Sequence, residues 1–231
     1  AGINTVGLFN AGYMMTMTYV GMVFAAMETD YFPRLSGVNH LQYSFNQIVN
    51  RQIEVMLLLV SPLLVIFSLL LPILLPLLYT GKFMPTLQMM QIVMVAMYFR
   101  AITLPIQYIP LAKGDSLSYL FLEAVYDIIL ILAVVYIFSR YGLFGAGWGI
   151  TFAGIVDAFL TIVYTRWRYN YKISKQVSLY ACLQIPLGVL TFAVTQSDNA
   201  LTYWGGGLLL TLISLVISLS ILRTKNNSSI R

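Results

Sequence analysis

Apolar residues occur in seven long runs along the chain, separated by short polar segments. A helix needs about 20 mostly apolar residues to cross a bilayer, and each run is close to that length or longer. Because a backbone exposed to lipid must satisfy its own hydrogen bonds, each run predicts a transmembrane helix. The predicted spans are 5–27, 55–79, 87–112, 117–139, 143–164, 177–195 and 200–222.

Residues 28–54 form the one long polar connection. Apolar residues recur in it at helical spacing, with polar residues between them; they are Leu41, Phe45, Ile48, Val49 and Ile53. This spacing predicts a helix. It is either an amphipathic helix on the membrane surface or a soluble extension of the second span, and the spacing favours neither.

The composition agrees with the apolar runs. Of the residues, 59% are hydrophobic and 9% are charged. A soluble domain has about a quarter of its residues charged, so this chain must present much of its surface to lipid. Its single cysteine, Cys182, excludes an internal disulfide. The predicted fold class is therefore an all-α polytopic membrane protein.

Basic residues fall almost entirely on alternate connections. Only Lys82 and Arg140 lie in the sparse set. The other set holds Arg34, Arg51, Lys113, Arg166, Arg168, Lys172, Lys175, Arg223, Lys225 and Arg231. Connections rich in Lys and Arg remain in the cytoplasm, so we expect a cytoplasmic C-terminus and Ala1 on the outer side. Contact with anionic headgroups explains the net charge of +5, and no nucleic-acid partner is predicted.

The predicted outer connections, 80–86, 140–142 and 196–199, are too short for a catalytic domain. The sequence also contains no metal-binding cluster, no serine–histidine–aspartate pattern and no phosphate-binding loop. Gly145, Gly147 and Gly149 superficially match a dinucleotide-binding pattern, but without a preceding strand they predict close helix packing. We therefore predict a protein that is not an enzyme and that has no metal and no cofactor.

Four ionisable residues lie well inside predicted spans: Arg100, Glu123, Asp127 and Asp157. Each costs about 2.5–3.5 kcal/mol there on insertion scales, so each must face protein or a water-filled cavity. At ~1.5 Å per residue, Arg100 is ~18 Å from the cytoplasmic end of its span, Asp127 ~15 Å, Asp157 ~11 Å and Glu123 ~9 Å.

Polar residues near these charges form one stripe on each of three consecutive spans. The stripes contain Arg100, Thr103 and Gln107; Ser116, Tyr119, Glu123 and Asp127; and Gly154, Asp157, Thr161 and Tyr164. The simplest architecture is a bundle around a hydrophilic cavity. Arg100 and Asp127 share a level, and two interpretations remain open: an ion pair that holds the bundle together, or a site for a substrate or a coupling ion.

Several sequence motifs occur in the order found in one known family. They are residues 6–13 (VGLFNAGY), 30–36 (DYFPRLS), 50–54 (NRQIE), 79–83 (YTGKF) and 111–116 (LAKGDS). In this respect the chain resembles oligosaccharide flippases of the multidrug/oligosaccharidyl-lipid/polysaccharide exporter superfamily. The motifs cover residues 7–116 well, and the later spans agree in length and polarity.

The resemblance implies two six-helix lobes around a central cavity, often with two further helices. On that template, 1–165 form the C-terminal lobe without its first helix, and they include a cytoplasmic loop at 28–54. Residues 166–175 form a basic cytoplasmic loop, and 176–231 form two additional helices and a tail. The N-terminal lobe is expected ahead of Ala1, so that seven spans would precede those seen here.

The resemblance also implies an activity. Such proteins move undecaprenyl-pyrophosphate-linked oligosaccharide repeat units across the bacterial inner membrane by alternating access, for O-antigen, lipopolysaccharide or other surface polysaccharides. The implied partners are that lipid-linked substrate, membrane lipids, the N-terminal lobe and polysaccharide assembly proteins.

Charge and depth then assign candidate roles. Pyrophosphate or sugar would contact Arg100, Thr103, Gln107 and Tyr119. A coupling H⁺ or Na⁺ would be carried by Glu123, Asp127 or Asp157.

Three alternatives remain open. A multidrug or metabolite cation antiporter of the same superfamily would need acidic rather than basic cavity chemistry. A lipid II flippase differs only in its substrate. A membrane-embedded polysaccharide polymerase or ligase would place basic catalytic residues in large outer loops. A purely structural scaffold fits poorly with four charges inside the membrane.

Overall fold

The computed structural model describes residues 2–38, 42–79 and 81–229, without the side chains of Gln42 and of 226–229. Leu41, Thr80 and Arg231, which contribute to the sequence predictions, lie outside the described residues. The described part of the chain is almost entirely helical and contains no strand, as predicted.

The described residues form six α-helices: α1 (Ile3–Ser36), α2 (Gln42–Leu78), α3 (Leu87–Ala112), α4 (Ser116–Tyr169), α5 (Lys175–Thr195) and α6 (Gly207–Ser229). A short 3₁₀ helix, Gly81–Thr86, precedes α3, and a π-helical stretch, Leu201–Gly206, leads into α6.

Within the described residues, five helices are long and apolar enough to cross a membrane, so the predicted count of seven spans needs correction. They are α2, α3 with its preceding 3₁₀ helix, α4, α5, and α6 with its π-helical stretch. The first predicted span lies in α1, where Asn10 and several glycines and threonines lower the mean hydropathy. The fourth and fifth predicted spans both lie in α4, a single element of 54 residues.

Helix α4 turns back on itself at Gly142. This residue has φ 61° and ψ −143°, a conformation that residues with a Cβ rarely adopt. The two segments, 116–141 and 143–169, then pack side by side. A Cβ on Gly149 would lie 2.8 Å from the Val134 Cα, and the Ser118 and Tyr164 hydroxyls are 2.6 Å apart. A glycine therefore converts one long apolar stretch into a hairpin.

The segment predicted as a 28–54 loop is largely helical. Helix α1 continues to Ser36, and residues 42–54 belong to the same continuous helix as the second span. The side chains of Phe45, Val49 and Ile53 are fully buried in the main hydrophobic core. Of the two interpretations of this spacing, the structure has the extension of the span, and its apolar face packs on protein.

Helix α3 is at the centre of the bundle. In the most apolar 18-residue stretch of α3, 83% is buried inside the protein, whereas the corresponding stretch of α4 is 11% buried. It packs against α1, α2, α4 and α5. Its polar side chains are therefore surrounded by protein on most sides, whereas α4 presents a long apolar face outward.

The basic connections meet at one end of the bundle, which we call the basic end. Asn50 of α2 holds the α4–α5 connection there. Its Nδ2 donates to the Lys172 carbonyl at 2.9 Å, while its Oδ1 accepts from the Ser174 N–H at 2.8 Å and the Tyr171 hydroxyl at 3.1 Å. Nearby, Glu54 forms an ion pair with Lys225 near the end of α6.

Asp115 caps α4 at the same end. Its carboxylate accepts from the Ser118 hydroxyl and N–H, from the Tyr169 hydroxyl at 2.9 Å and from Arg168 at 3.4 Å. These bonds, chiefly those from Ser118, hold the pKa of Asp115 below its usual value. The cap therefore stabilises the fold above the ordinary carboxyl pKa and loses this effect as the pH falls through the lowered pKa.

Close packing of α3 on α4 gives a test of the fold. A Cβ on Gly147 would lie 2.9 Å from the Met89 carbonyl oxygen and 3.2 Å from the Met89 Cα. Because backbone atoms cannot rotate away, we expect Gly147→Ala to lower the free energy of unfolding by about 1–3 kcal/mol.

The matched control is Gly21→Ala in α1, where a Cβ has no neighbour within 4 Å. This change should leave stability unchanged or raise it, since alanine favours helix. Thermal unfolding of both variants, followed by tryptophan fluorescence, measures the difference. Equal midpoints for the two variants would contradict this packing.

Candidate functional site

A small cavity of about 110 Å³ lies near the middle of α3, between α1, α3 and both segments of α4. This volume has room for a few water molecules at ~30 Å³ each. Polar residues from all these helices border it. Its lining is Tyr13, Met17, Ala96, Met97, Arg100, Thr103, Tyr126, Ile150, Gly154 and Asp157.

Arg100 supplies the positive charge of the cavity. Its guanidinium carbon lies 5.7 Å from the centre of the Tyr126 ring, within cation–π range. Its Nη1 atom is buried and has no hydrogen-bond partner among the described residues. Arg100 and Asp127 form no ion pair, so the structural-pair interpretation lacks the contact that it requires.

Asp157 supplies the acidic group and is only 4% exposed. Its Oδ2 accepts from Gln107 Nε2 at 3.4 Å, and its Oδ1 accepts from the Thr161 hydroxyl at 3.2 Å. The Gln107 Oε1 is buried and accepts no hydrogen bond from the described residues. The site therefore has one donor atom and one acceptor atom that the described protein groups leave unused.

The structure brings together four of the seven predicted site residues. Arg100, Thr103 and Asp157 line the cavity, and Gln107 reaches it through Asp157. The spacing of these residues on α3, at i, i+3 and i+7, places them on one face, and that face is directed at α4.

The other three predicted residues do not line the cavity. Tyr119 and Glu123 are half-buried on the first segment of α4, and Asp127 is exposed. Asp127 follows Tyr126 directly, and successive residues on a helix point about 100° apart, so only one of the two can face inward. The Asp127 carboxylate is therefore exposed on the outer surface of α4, next to the exposed apolar residues Ile128 and Ile131.

Two tyrosines complete the cavity and were not among the predicted residues. Tyr13 comes from α1 and Tyr126 from α4. Tyr126 lies three residues after Glu123, so the i, i+3 rule could have found it. Tyr13 carries no charge that would mark it, and only the packing of α1 against α3 brings it to the site.

Further polar contacts join the same helices between this cavity and the basic end. The Tyr108 hydroxyl donates to Glu28 at 2.7 Å, and the Tyr31 hydroxyl donates to the Pro105 carbonyl at 2.7 Å. Polar groups therefore continue along α3 from mid-depth toward the basic end. Within the described ranges, no group of three or more His, Cys, Asp or Glu residues could hold a metal ion.

The arrangement fits binding of an anion. The buried N–H of Arg100, which no described residue accepts from, can donate a hydrogen bond to a phosphate or carboxylate oxygen. The buried Asp157 beside it is a candidate for binding a proton or a cation. Comparisons of the chain with models of known protein families, with curated proteins and with solved structures found no match.

A double-mutant cycle distinguishes the two carboxylates as partners of Arg100. We expect Arg100→Met and Asp157→Asn to couple by about 1–3 kcal/mol in the free energy of unfolding, because both border one buried cavity. The same cycle with Asp127→Asn should give a coupling within about 0.5 kcal/mol.

Thermal or denaturant unfolding of the purified variants measures both cycles. A larger coupling with Asp127 than with Asp157 would contradict this geometry and restore the pair as a structural element.

Proposed function

We propose that this chain is part of a flippase that moves a lipid-linked oligosaccharide, joined to its lipid through pyrophosphate, across a membrane by alternating access. The observation that carries the proposal is Arg100, a mid-depth cation with a buried and unpartnered Nη1 in a polar cavity. The resemblance to oligosaccharide flippases supplies the class of cargo.

The energetics of Arg100 support a role beyond stability. A charge in the middle of a span costs several kcal/mol unless it is paired. In the described part of the chain, Arg100 forms no ion pair; it has one cation–π contact, worth about 0.5–2 kcal/mol, and the attraction of the nearby Asp157 carboxylate. An anionic cargo that accepts its hydrogen bonds would offset the rest.

The cavity is too small for the proposed cargo, which favours a larger site shared with a second lobe. A volume of about 110 Å³ cannot enclose an oligosaccharide. The proposal therefore includes a second lobe that faces this one and widens the cavity. The exposed Asp127 and the half-buried Glu123 and Tyr119 fit that view, because a polar cavity between two lobes would hydrate them.

Ion coupling is the second element of the proposal. Asp157 is the proposed carrier of the coupling H⁺ or Na⁺, because it is buried beside Arg100 and is held by Gln107 and Thr161. Binding of a cation there would weaken its attraction for Arg100 and leave the guanidinium for the cargo. Glu123 and Asp127 remain candidates on the proposed lobe interface.

The proposed location is the bacterial inner membrane, with the basic end in the cytoplasm. Nine basic residues lie in or near the connections at that end: Arg34, Arg51, Lys113, Arg166, Arg168, Lys172, Lys175, Arg223 and Lys225. The proposed cargo would be loaded there, and the product would serve O-antigen or other surface polysaccharide synthesis.

One observation favours a second candidate, a cation antiporter. The buried Asp157, with Glu123 and Asp127 on the adjacent segment, could hold an organic cation. Arg100 opposes this function, because it would repel such a substrate from the same cavity. An antiporter would therefore become more active when Arg100 is neutralised, whereas a flippase for anionic lipids would lose activity.

Transport in proteoliposomes tests the proposal. The full-length protein should flip an undecaprenyl-pyrophosphate oligosaccharide, and Arg100→Gln should lower the rate about 10–100-fold through loss of a charge-assisted hydrogen bond. Arg100→Lys should retain part of the activity. The matched control is Arg140→Gln, an exposed arginine near the turn of α4.

All variants should insert and accumulate to similar levels. Unchanged flipping by a well-inserted Arg100→Gln variant would overturn the role of Arg100. No flipping by the wild-type protein with any of several lipid-linked oligosaccharides would overturn the proposed function.

A further inference from the structure

A long groove runs along the outside of the bundle between α1, α2 and α6 and has a volume of about 550 Å³. We call it the outer groove. Almost all of its lining is aliphatic. The lining residues on α2 are Leu58, Leu59, Pro62, Leu63 and Ile66; those on the flanking helices are Met22, Val23, Ala26, Met27, Leu215, Ser218, Leu219 and Leu222.

Toward the basic end, the outer groove continues into a second cavity of about 430 Å³, which we call the basic pocket. The two share Leu58, Leu219 and Leu222, so they form one continuous surface. The basic pocket adds Arg51 from α2 and Arg223 from α6.

The basic pocket has a net positive charge. Arg51 and Arg223 are exposed, and neither forms an ion pair with another described residue. The one acidic lining residue, Glu54, is already paired with Lys225 and accepts a hydrogen bond from Ser174. Its negative charge is therefore compensated and does not repel an anion at the two arginines.

The combined surface has the length of one bilayer leaflet. From Arg51 to Ile66 there are fifteen residues of α2, which is ~22 Å at 1.5 Å per residue. A bilayer measures about 40–45 Å including its headgroups, so one leaflet measures about half of that. The arginines then lie at headgroup depth, and the far end of the groove lies near the bilayer centre.

We propose that the outer groove and the basic pocket bind one anionic phospholipid of the leaflet at the basic end. Its phosphate contacts Arg51 and Arg223, and an acyl chain fills the groove between α1 and α6. A small soluble anion would use the pocket and leave the apolar groove uncovered. A zwitterionic lipid would fill the groove without matching the charge.

This lipid site is separate from the cavity at Arg100. The two share no lining residue, and the groove lies on α1, α2 and α6, whereas the cavity lies on α1, α3 and α4. Helix α6 packs on α2 and α5, so a lipid chain between α6 and α1 adds a contact that holds α6 in place. Lipid binding at this site therefore does not depend on the proposed flippase function.

Native mass spectrometry of the purified full-length protein tests the site. The probes are 1-palmitoyl-2-oleoyl-phosphatidylglycerol, the phosphatidylcholine with the same chains, and glycerol 3-phosphate. We expect phosphatidylglycerol to bind more tightly than either of the others. Arg51→Gln and Arg223→Gln should each weaken its binding about fivefold, and Arg140→Gln should not.

A pair of alanines on α1 tests the groove. Ala26 lines the groove, and its neighbour Ala25 does not, although both are exposed. Ala26→Trp should fill the groove and weaken phosphatidylglycerol binding by at least about tenfold, because the acyl chain loses its apolar contact surface. Ala25→Trp should have no effect.

Three results would overturn the proposal: phosphatidylcholine that binds as tightly as phosphatidylglycerol, glycerol 3-phosphate that binds as tightly as the intact lipid, or equal binding by the two tryptophan variants. Elution volume and thermal midpoint report whether each variant folds. If Ala26→Trp does not fold, phosphatidylglycerol binding is compared between two double variants. Arg51→Gln/Arg223→Gln is the test and Lys82→Gln/Arg140→Gln is the control. Equal binding by these two would also overturn the site.

Discussion

Hydrocarbon offers a protein no hydrogen bonds, and this constraint organises the whole chain. It makes helices of the apolar runs and places α3, with its polar face, at the centre of the bundle. It also makes each intramembrane charge depend on neighbouring helices. Asp157 meets this demand through Gln107 and Thr161. Arg100 meets this demand only in part, because its buried Nη1 has no hydrogen-bond partner among the described residues. This free donor is the main feature of the candidate site.

Three residues of the sequence motifs have structural roles at or toward the basic end. Tyr31 joins α1 to the Pro105 carbonyl of α3, Asn50 holds the α4–α5 connection, and Asp115 caps α4. Asn50 and Asp115 satisfy backbone groups where the chain leaves or enters a helix, and Tyr31 bonds to a carbonyl inside α3. These three residues therefore belong to the scaffold, whereas Tyr13 of the first motif lines the cavity and Arg100, on α3, lies outside the motifs.

Periodicity and depth were sufficient to predict helices and the polar faces of α3 and the second segment of α4. They also predicted where α4 folds back, because the spans 117–139 and 143–164 were separated at 140–142 and the structure turns at Gly142. They could not orient the first segment of α4, where Tyr126 faces the cavity and Asp127 faces outward. Rotation of a helix about its axis is set by packing across helices, which a local pattern does not contain.

We propose that Arg100 is placed to bind an anionic cargo. Photo-crosslinking tests it most directly, with a lipid-linked oligosaccharide that carries a photoreactive group next to its pyrophosphate. In membranes, the account predicts crosslinks to peptides of α3 around Arg100 and of α4 around Tyr126, and their loss in Arg100→Gln. Crosslinks that avoid both peptides, or that persist unchanged in that variant, would contradict it.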